Sequence, residues 1–234
     1  MLLDIGIPCF NEGKYLLKCL NSINKEFAND FDKIKIWVID DDSPYGTEYK
    51  NIISQFDHLN IELIIMERNS GPGNCRNKVL ELGEAEWITW IDDDDIFINN
   101  PLENVTALAQ NPDLIRSEVY TQEGKLHIGL NTICNPVFGT IFNRKFLQDR
   151  DLLFIPDLGI VGTEDSIFLS FTTAMASKIL YVESFIEHYA RKDSQYTLTS
   201  NENEHLAIDL LPLCNICYMT KYKEHIKDFS IVWS

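Results

Sequence analysis

Two runs of acidic residues carry the strongest chemical signal in this 234-residue chain. Asp92, Asp93, Asp94 and Asp95 stand in a row behind WITWI, and Asp40, Asp41 and Asp42 close KIKIWVI. Two carboxylates roughly 6 Å apart repel by about 0.7 kcal/mol in water and about 3 kcal/mol at an effective dielectric near 20. Something must offset that repulsion: helix N-termini, plain solvent, or a bound cation. The structural alternative is that these residues make turns and helix caps, which short polar side chains favour. A third acidic pair, Glu164-Asp165, follows GIVGT, where Thr163 is placed to cap a helix whose dipole favours carboxylates in its first turn. Arg76 falls in the first turns of a segment opened by Gly71-Pro72-Gly73. Its guanidinium can lean toward an anion or the acidic rim, or make a surface ion pair with Glu81 or Asp95.

The elements that must position these residues follow from hydrophobic period and turn chemistry. Residues 2–9, 33–40, 61–67 and the WITWID segment read as strands. Between them, KYLLKCLNSIN, GTEYKNIISQF and PGNCRNKVLELG read as helices, the last opening on Pro72 and closing on Gly83. A β-α-β-α-β-α-β order implies an α/β domain, a mostly parallel sheet with helices on both faces. Ligands of such open sheets bind outside the carboxyl ends of the strands, and both acidic runs fall there, on one rim. The second half is less regular. LIRSEVY and KLHIGLN suggest a hairpin across Gln122-Glu123-Gly124, NRKFLQDR a helix, residues 164 to about 176 another helix, and KILYVES a strand. Ile167, Phe168, Phe171 and Met175 give the later helix an apolar face.

Bulk composition narrows the classes. The chain is 45% hydrophobic with a formal net charge of −16, so it can fill a core and its field disfavours nucleic acid or an anionic membrane as a general partner. The N-terminal stretch carries Asp4 and no basic region, and reads as a strand rather than a signal peptide. No apolar run reaches the roughly 18 residues of a membrane span. Cysteines 9, 19, 75, 134, 214 and 217 are scattered, which suits a reducing compartment, and the cytoplasm is the expected location. Cys214 and Cys217 form a C-x-x-C without a second pair at zinc spacing, in a stretch that reads as buried helix.

Five segments in order resemble the family 2 glycosyltransferases: IPCFNE at 7–12, IDDDSPYGT at 39–47, NSGPGNCRN at 69–77, WITWIDDDD at 87–95, and Glu164-Asp165. The resemblance covers roughly residues 2 to 195. It implies the GT-A fold, a Rossmann-like, mixed and mostly parallel sheet flanked by helices in a single domain. Residues 1–97 would form the nucleotide-sugar half, 98–200 the acceptor and catalytic half, and 201–234 a helical tail. It also implies a nucleotide-sugar donor, with UDP expected, whose departing diphosphate is neutralised by Mn²⁺ or Mg²⁺. Carried over, Asp94 is the metal ligand of the D-x-D motif and His188 a second candidate ligand. Asp92 and Asp93 serve the donor, Asp41 accepts from the uracil imide, and Pro8, Phe10, Asn11 and Glu12 line the nucleotide pocket. Asp42 departs from the Gly or Asn usual there. Arg76 leans toward the pyrophosphate. In HYARKDSQYT, Arg191 and Ser194 clasp the diphosphate, and Asp165 is the general base toward the acceptor hydroxyl.

The chain lacks a Q-x-x-R-W segment, the mark of processive synthases, so a single transfer with inversion is expected. The acceptor would be a saccharide or a lipid-linked saccharide. Lys221, Lys223 and Lys227 among Tyr218, Tyr222, Phe229 and Trp233 could touch a membrane edge, or form one packing helix with a solvated face. Two rivals remain in view: a sugar-phosphate nucleotidyltransferase, whose basic Gly-rich loop after the first strand is not found in IPCFNEGKYL, and a non-catalytic carbohydrate- or partner-binding domain.

Overall fold

A computed structural model of the chain describes residues 1–11, 13–44, 47–121, 124–126, 137–155 and 164–188. Strands β1 (Leu3–Cys9), β2 (Ile34–Asp40), β3 (Ile61–Ile65) and β4 (Trp87–Trp90) alternate with helices α1 (Gly13–Glu26), α2 (Thr47–Ile53) and α3 (Pro72–Leu82). Then come β5 (Ile96–Phe97), the short α4 (Val105–Leu108), β6 (Leu114–Thr121), β7 (Gly124–Leu126) and β8 (Thr140–Asn143). Helices α5 (Arg144–Gln148) and α6 (Glu164–Met175) and strand β9 (Ile179–His188) complete the described elements.

The nine strands form one sheet in the order β3-β2-β1-β4-β8-β6-β9-β5, with β7 paired to β6. β1 to β4 are mutually parallel, β8 is antiparallel to both β4 and β6, and β9 is parallel to β6. β5 and β7 run against their partners. Six strands therefore point one way and three the other: the mixed, mostly parallel sheet expected.

Two apolar clusters flank it. Leu16, Cys19, Leu20 and Ile23 of α1 pack with Leu3, Ile5 and Ile7 on one side. Ile88 and Trp90 of β4 pack with Val79 of α3 and Ile167, Phe168 and Phe171 of α6 on the other. Trp90 sits edge-on to Phe142, Phe154 and Phe168 at centroid distances of 5.3, 5.1 and 5.8 Å. Truncating a buried aromatic such as Phe168 to alanine typically costs about 3–5 kcal/mol, and here it would loosen the helix that carries Asp165.

At the amino ends of the parallel strands lies a closed charge network. Asp4, 1% exposed within the apolar β1, accepts from Trp37 Nε1 at 2.8 Å and from the Ala85 backbone N–H at 2.9 Å. Its second oxygen also pairs with Arg144, whose remaining nitrogens donate to the carbonyls of Ala85 and Leu80.

The hairpin appears as β6 and β7, with Val119 opposite Leu126; Gln122, Glu123 and most of KLHIGLN lie outside the described residues. The sequence reading missed β5 and β8. Each is four residues or shorter, too brief to display a period. Cys9, Cys19 and Cys75 are buried free thiols. The tail, with Cys214 and Cys217, lies outside the described residues. No described helix is long and apolar enough to cross a membrane.

Candidate active site

The carboxyl ends of β1, β2 and β4 build the rim from the backbone outward. The loop after β1 turns at Asn11 and the loop after β2 at Asp42, both in the left-handed region with φ of 64° and 60°. Asn and Asp tolerate that conformation better than other side chains with a Cβ. The loops are tied together: the Asp41 N–H donates to the Cys9 carbonyl, and the Asn11 N–H to Ser43 Oγ, both at 2.9 Å. Asp40 fixes its own loop through the Ser43 N–H at 3.0 Å. Asp41 does structural work too. It is buried and accepts from the Ser70 N–H at 2.8 Å, Ser70 Oγ at 3.1 Å and the Gly71 N–H at 2.7 Å. The Cys75 thiol is also hydrogen-bonded to this carboxylate, so its roughly four acceptor positions are occupied within the fold. Gly71, at φ 85°, makes the turn that aims both amides at Asp41 and starts α3 at Pro72.

The acidic run does not point one way. Asp93 and Asp95 are buried at 3% and 0%, whereas Asp92 and Asp94 keep partial access to solvent. Asp92, Asp94 and Asp95 each offer one oxygen within 4.8 Å of the others. Three hard anionic oxygens at that spacing suit a small divalent cation. His188 is not part of this group; its Nδ1 bonds Asp95 Oδ1 at 2.8 Å, while its ring stacks on Phe138 at 5.0 Å. Burial pushes the Asp95 carboxyl up to about 7, against the pull of His188. Burial works against a charged His188, but the bond to Asp95 and the nearby carboxylates prevail and raise it to about 9.

Behind the run stands Arg76, 3% exposed, with Nη2 on Asp92 at 2.8 Å and Nη1 on the buried Glu164. The surface ion pair with Glu81 or Asp95 that the sequence allowed does not form. Burial opposes the charge on Arg76, but Asp92, Glu164 and Asp165 raise its proton affinity further. The α3–α6 approach depends on Gly73: a Cβ there would meet Glu164 Cγ at 3.2 Å and Phe154 Cβ at 3.4 Å. Asp165 follows Glu164, half-buried in the first turn of α6, and accepts from the Ser166 N–H at 2.6 Å. Burial pushes its carboxyl up to about 7, with Glu164 adding to the rise and Arg76 resisting it. A carboxyl in that range is suited to take a proton near neutral pH.

Arg76, Asp92, Glu164 and Asp165 therefore form one connected charge group, flanked by Asp94, Asp95 and His188. Pro8 is buried at the end of β1, Phe10 is half-buried beside it, and Asn11 leaves its side-chain oxygen without a hydrogen bond. Glu12, Thr163, Arg191 and Ser194 lie outside the described residues. Sequence reasoning did not place Glu164 as the partner of Arg76, nor Asp95 with Asp92 in the convergent carboxylate group. The signal for Asp95 was in plain view as the fourth Asp. Nothing local distinguishes Glu164, because its role depends on a helix 88 residues distant in the chain.

Parallel strands bearing carboxylates on their exit rim, continued by an antiparallel strand and a second helical layer, define a GT-A-type nucleotide-sugar fold. A family model described as Glycosyl transferase family 2 matches residues 4–155, and the chain belongs to that family. Among curated relatives, the poly(ribitol-phosphate) beta-N-acetylglucosaminyltransferase TarS of Staphylococcus aureus is 24% identical over 227 residues, covering 88% of this chain and 37% of that protein. The UDP-Glc:alpha-D-GlcNAc-diphosphoundecaprenol beta-1,3-glucosyltransferase WfgD of Escherichia coli is 31% identical over 103 residues, 44% of this chain and 38% of that one. Each match thus spans little more than a third of the relative's length. The crystal structure of TarS residues 1–349 with UDP-GlcNAc superposes with a TM-score of 0.77 at 20% identity, over 94% of this chain and 67% of that chain. The mannosyltransferase PcManGT of Pyrobaculum calidifontis, in complex with GDP-Man and Mn²⁺, gives 0.65 at 16% identity, over 82% and 58%.

Proposed function

We propose that the chain carries a metal-dependent, inverting, non-processive glycosyl transfer from a UDP-sugar to a hydroxyl of a saccharide or lipid-linked saccharide, working in the cytoplasm. The observation that supports it best is the placement of Asp165. A carboxyl poised near 7 is joined through Glu164, Arg76 and Asp92 to the convergent carboxylates on the same rim. In this reading Asp92, Asp94 and Asp95 would hold Mn²⁺ or Mg²⁺, and the cation would supply positive charge against the departing diphosphate. His188 orients Asp95 through its 2.8 Å bond, a role behind the ligand set rather than within it.

Asp165 takes the acceptor proton while that oxygen attacks the anomeric carbon from the face opposite the leaving group. Arg76 is committed to Asp92 and Glu164, so it positions the two halves of the site and reaches the pyrophosphate only if one of those pairs opens. Asp41 accepts from the uracil imide N–H once the Cys75 thiol gives up its place on the carboxylate. Pro8, Phe10 and Asn11 wall the base and ribose, with Asp93 supporting that wall from the interior. Glu12, Arg191 and Ser194 enter on the family resemblance alone.

Asp165→Asn keeps the shape but cannot take the proton. Its kcat should fall about 10²- to 10⁴-fold while the dissociation constant for UDP stays nearly fixed. Asp94→Asn, or EDTA on the unaltered protein, should weaken UDP binding as well. Single-turnover transfer, or slow donor hydrolysis, is measured beside calorimetric UDP titrations. Near-normal turnover of Asp165→Asn would remove the base from this site, and UDP affinity indifferent to EDTA would remove the metal.

A further inference from the structure

Arg116 is a buried cation that the donor-site chemistry does not use. It lies in β6, opposite Thr140 of β8 and Tyr181 of β9. Leu114 and Ile179 belong to the cluster beneath α6, and strand alternation puts residues two further on, Arg116 and Tyr181, on that same face. The register irregularity of β6 begins only after Ser117, so the alternation holds as far as Arg116. Arg116 is 2% exposed, and among the described residues its Nε and Nη2 hydrogens meet no acceptor. Burial lowers its proton affinity, and the Tyr181 hydroxyl offsets that only in part.

A guanidinium stays charged at any physiological pH. Leaving two of its donors empty in the interior costs more than almost any other side-chain placement. The other buried arginines are each neutralised by carboxylates, Arg76 by Asp92 and Glu164 and Arg144 by Asp4; Arg76 leaves only its Nε without an acceptor among the described residues, whereas Arg116 has no described carboxylate against it. Nε and one Nη form the side of the guanidinium that grips two oxygens of a single oxyanion. That side is the empty one. Tyr181, 58% exposed, leads from it to solvent.

We propose that Arg116 anchors an oxyanion subsite in the acceptor half of the sheet, for a phosphoryl or carboxylate group carried on the acceptor. This rests on the transfer reading above. The location separates it from the donor. Thr89 pairs with Ile141 and Ile115 with Ile141, so Arg116 stands one residue beyond the level of Thr89 and two strands across. Strand spacings then place its Cα roughly 12 Å from that of Asp92, clear of the donor diphosphate yet on the α6 side that carries Asp165.

The test uses the full chain with UDP and Mg²⁺ bound, and follows its melting temperature against inorganic phosphate, with chloride at equal ionic strength as control. A parallel arm replaces phosphate with glucuronate, against glucose, to separate phosphoryl from carboxylate recognition. Phosphate or glucuronate should raise the melting temperature of the unaltered protein. Arg116→Met should need at least about tenfold more anion for the same shift, and Arg116→Lys, which keeps charge but loses the fork, should fall between. Arg116→Met loses no bonds from the two empty donors, so it should fold and should bind UDP as before. Anion shifts that survive in Arg116→Met, or that neither anion produces in the unaltered protein, would overturn the subsite. Both arms are repeated without UDP. A failure of UDP binding itself then counts against the transfer reading, while the anion shifts still report on Arg116.

Discussion

The two ends of the parallel strands treat buried charge in opposite ways. At the amino ends, Asp4 and Arg144 close on each other, and Trp37, Ala85 and Leu80 take up further bonding positions. At the carboxyl ends, Asp92, Asp93, Asp94, Asp95, Glu164 and Asp165 gather with the described cations Arg76 and His188. Balanced burial makes a strut, since breaking it gains nothing for any ligand. An excess of one sign on a rim is a cost that only an incoming charge relieves. Among the described residues, one end is finished, its charge balanced, and the other carries an excess of carboxylate that the proposed cation would relieve.

The largest expected effect lies at the finished end. Removing one partner, as in Arg144→Met, strands Asp4 in the interior and should cost about 3–5 kcal/mol of stability. Chemical denaturation reads that loss. Turnover of the folded enzyme at low temperature should stay near normal, and a selective loss of activity without loss of stability would erase the distinction between the ends.

The next effect concerns pH at the unfinished end. Burial pushes the Asp165 carboxyl up to about 7, far above an ordinary carboxylate, and as the proposed base it must be ionised to act. The acidic limb of kcat should therefore rise about tenfold per unit up to roughly pH 7 and then flatten, a limb that Asp165→Asn lacks. Linkage has the opposite sign. A carboxyl whose folded pKa is raised stabilises the fold most at low pH, and that contribution drains away as pH climbs through about 7. In the metal-free protein, stability should decline over the interval in which activity grows. A rate limb near pH 4 would show that Asp165 is not held as described.

The smallest effect sharpens the comparison most. Asp94→Asn removes one charge from a group whose oxygens lie within 4.8 Å of each other. The metal-free protein should gain on the order of 1 kcal/mol, seen as a higher melting temperature. Mn²⁺ should stabilise the unaltered protein and leave the variant little changed. A destabilised Asp94→Asn would mean that the rim, like the strut, is already balanced.

The first half of the fold was legible because most of its elements are long enough to show a period and turn signals bound them, as Pro72 and Gly83 bound α3; the four-residue β4 was marked instead by the acidic run behind it. The rim was legible for the same reason: runs of Asp at strand exits mark themselves. What the sequence did not show was orientation. Asp93 and Asp95 turn inward while Asp92 and Asp94 turn outward, and no linear pattern encodes the side chosen by a loop residue. Asp41 was expected to serve the base, yet it and Asp40 both hold loops. Their difference depends on Ser70 and Gly71, thirty positions away. Arg116 reads as an unremarkable strand residue until β8 and β9 close over its flanks.

The pairing of β5 with β9 sets a timetable for assembly. Ile96, the residue after the acidic run, lies opposite Glu187, and Asp95 reaches His188 across 93 positions of chain. Contacts so remote in sequence carry a large closure cost and form late, whereas β1 to β4 and their helices can associate from neighbours. During synthesis the aspartates leave the ribosome well before the strand that fixes them. Until β9 docks they belong to a loop anchored at one end, so the proposed cation site is complete only as the last described strand arrives.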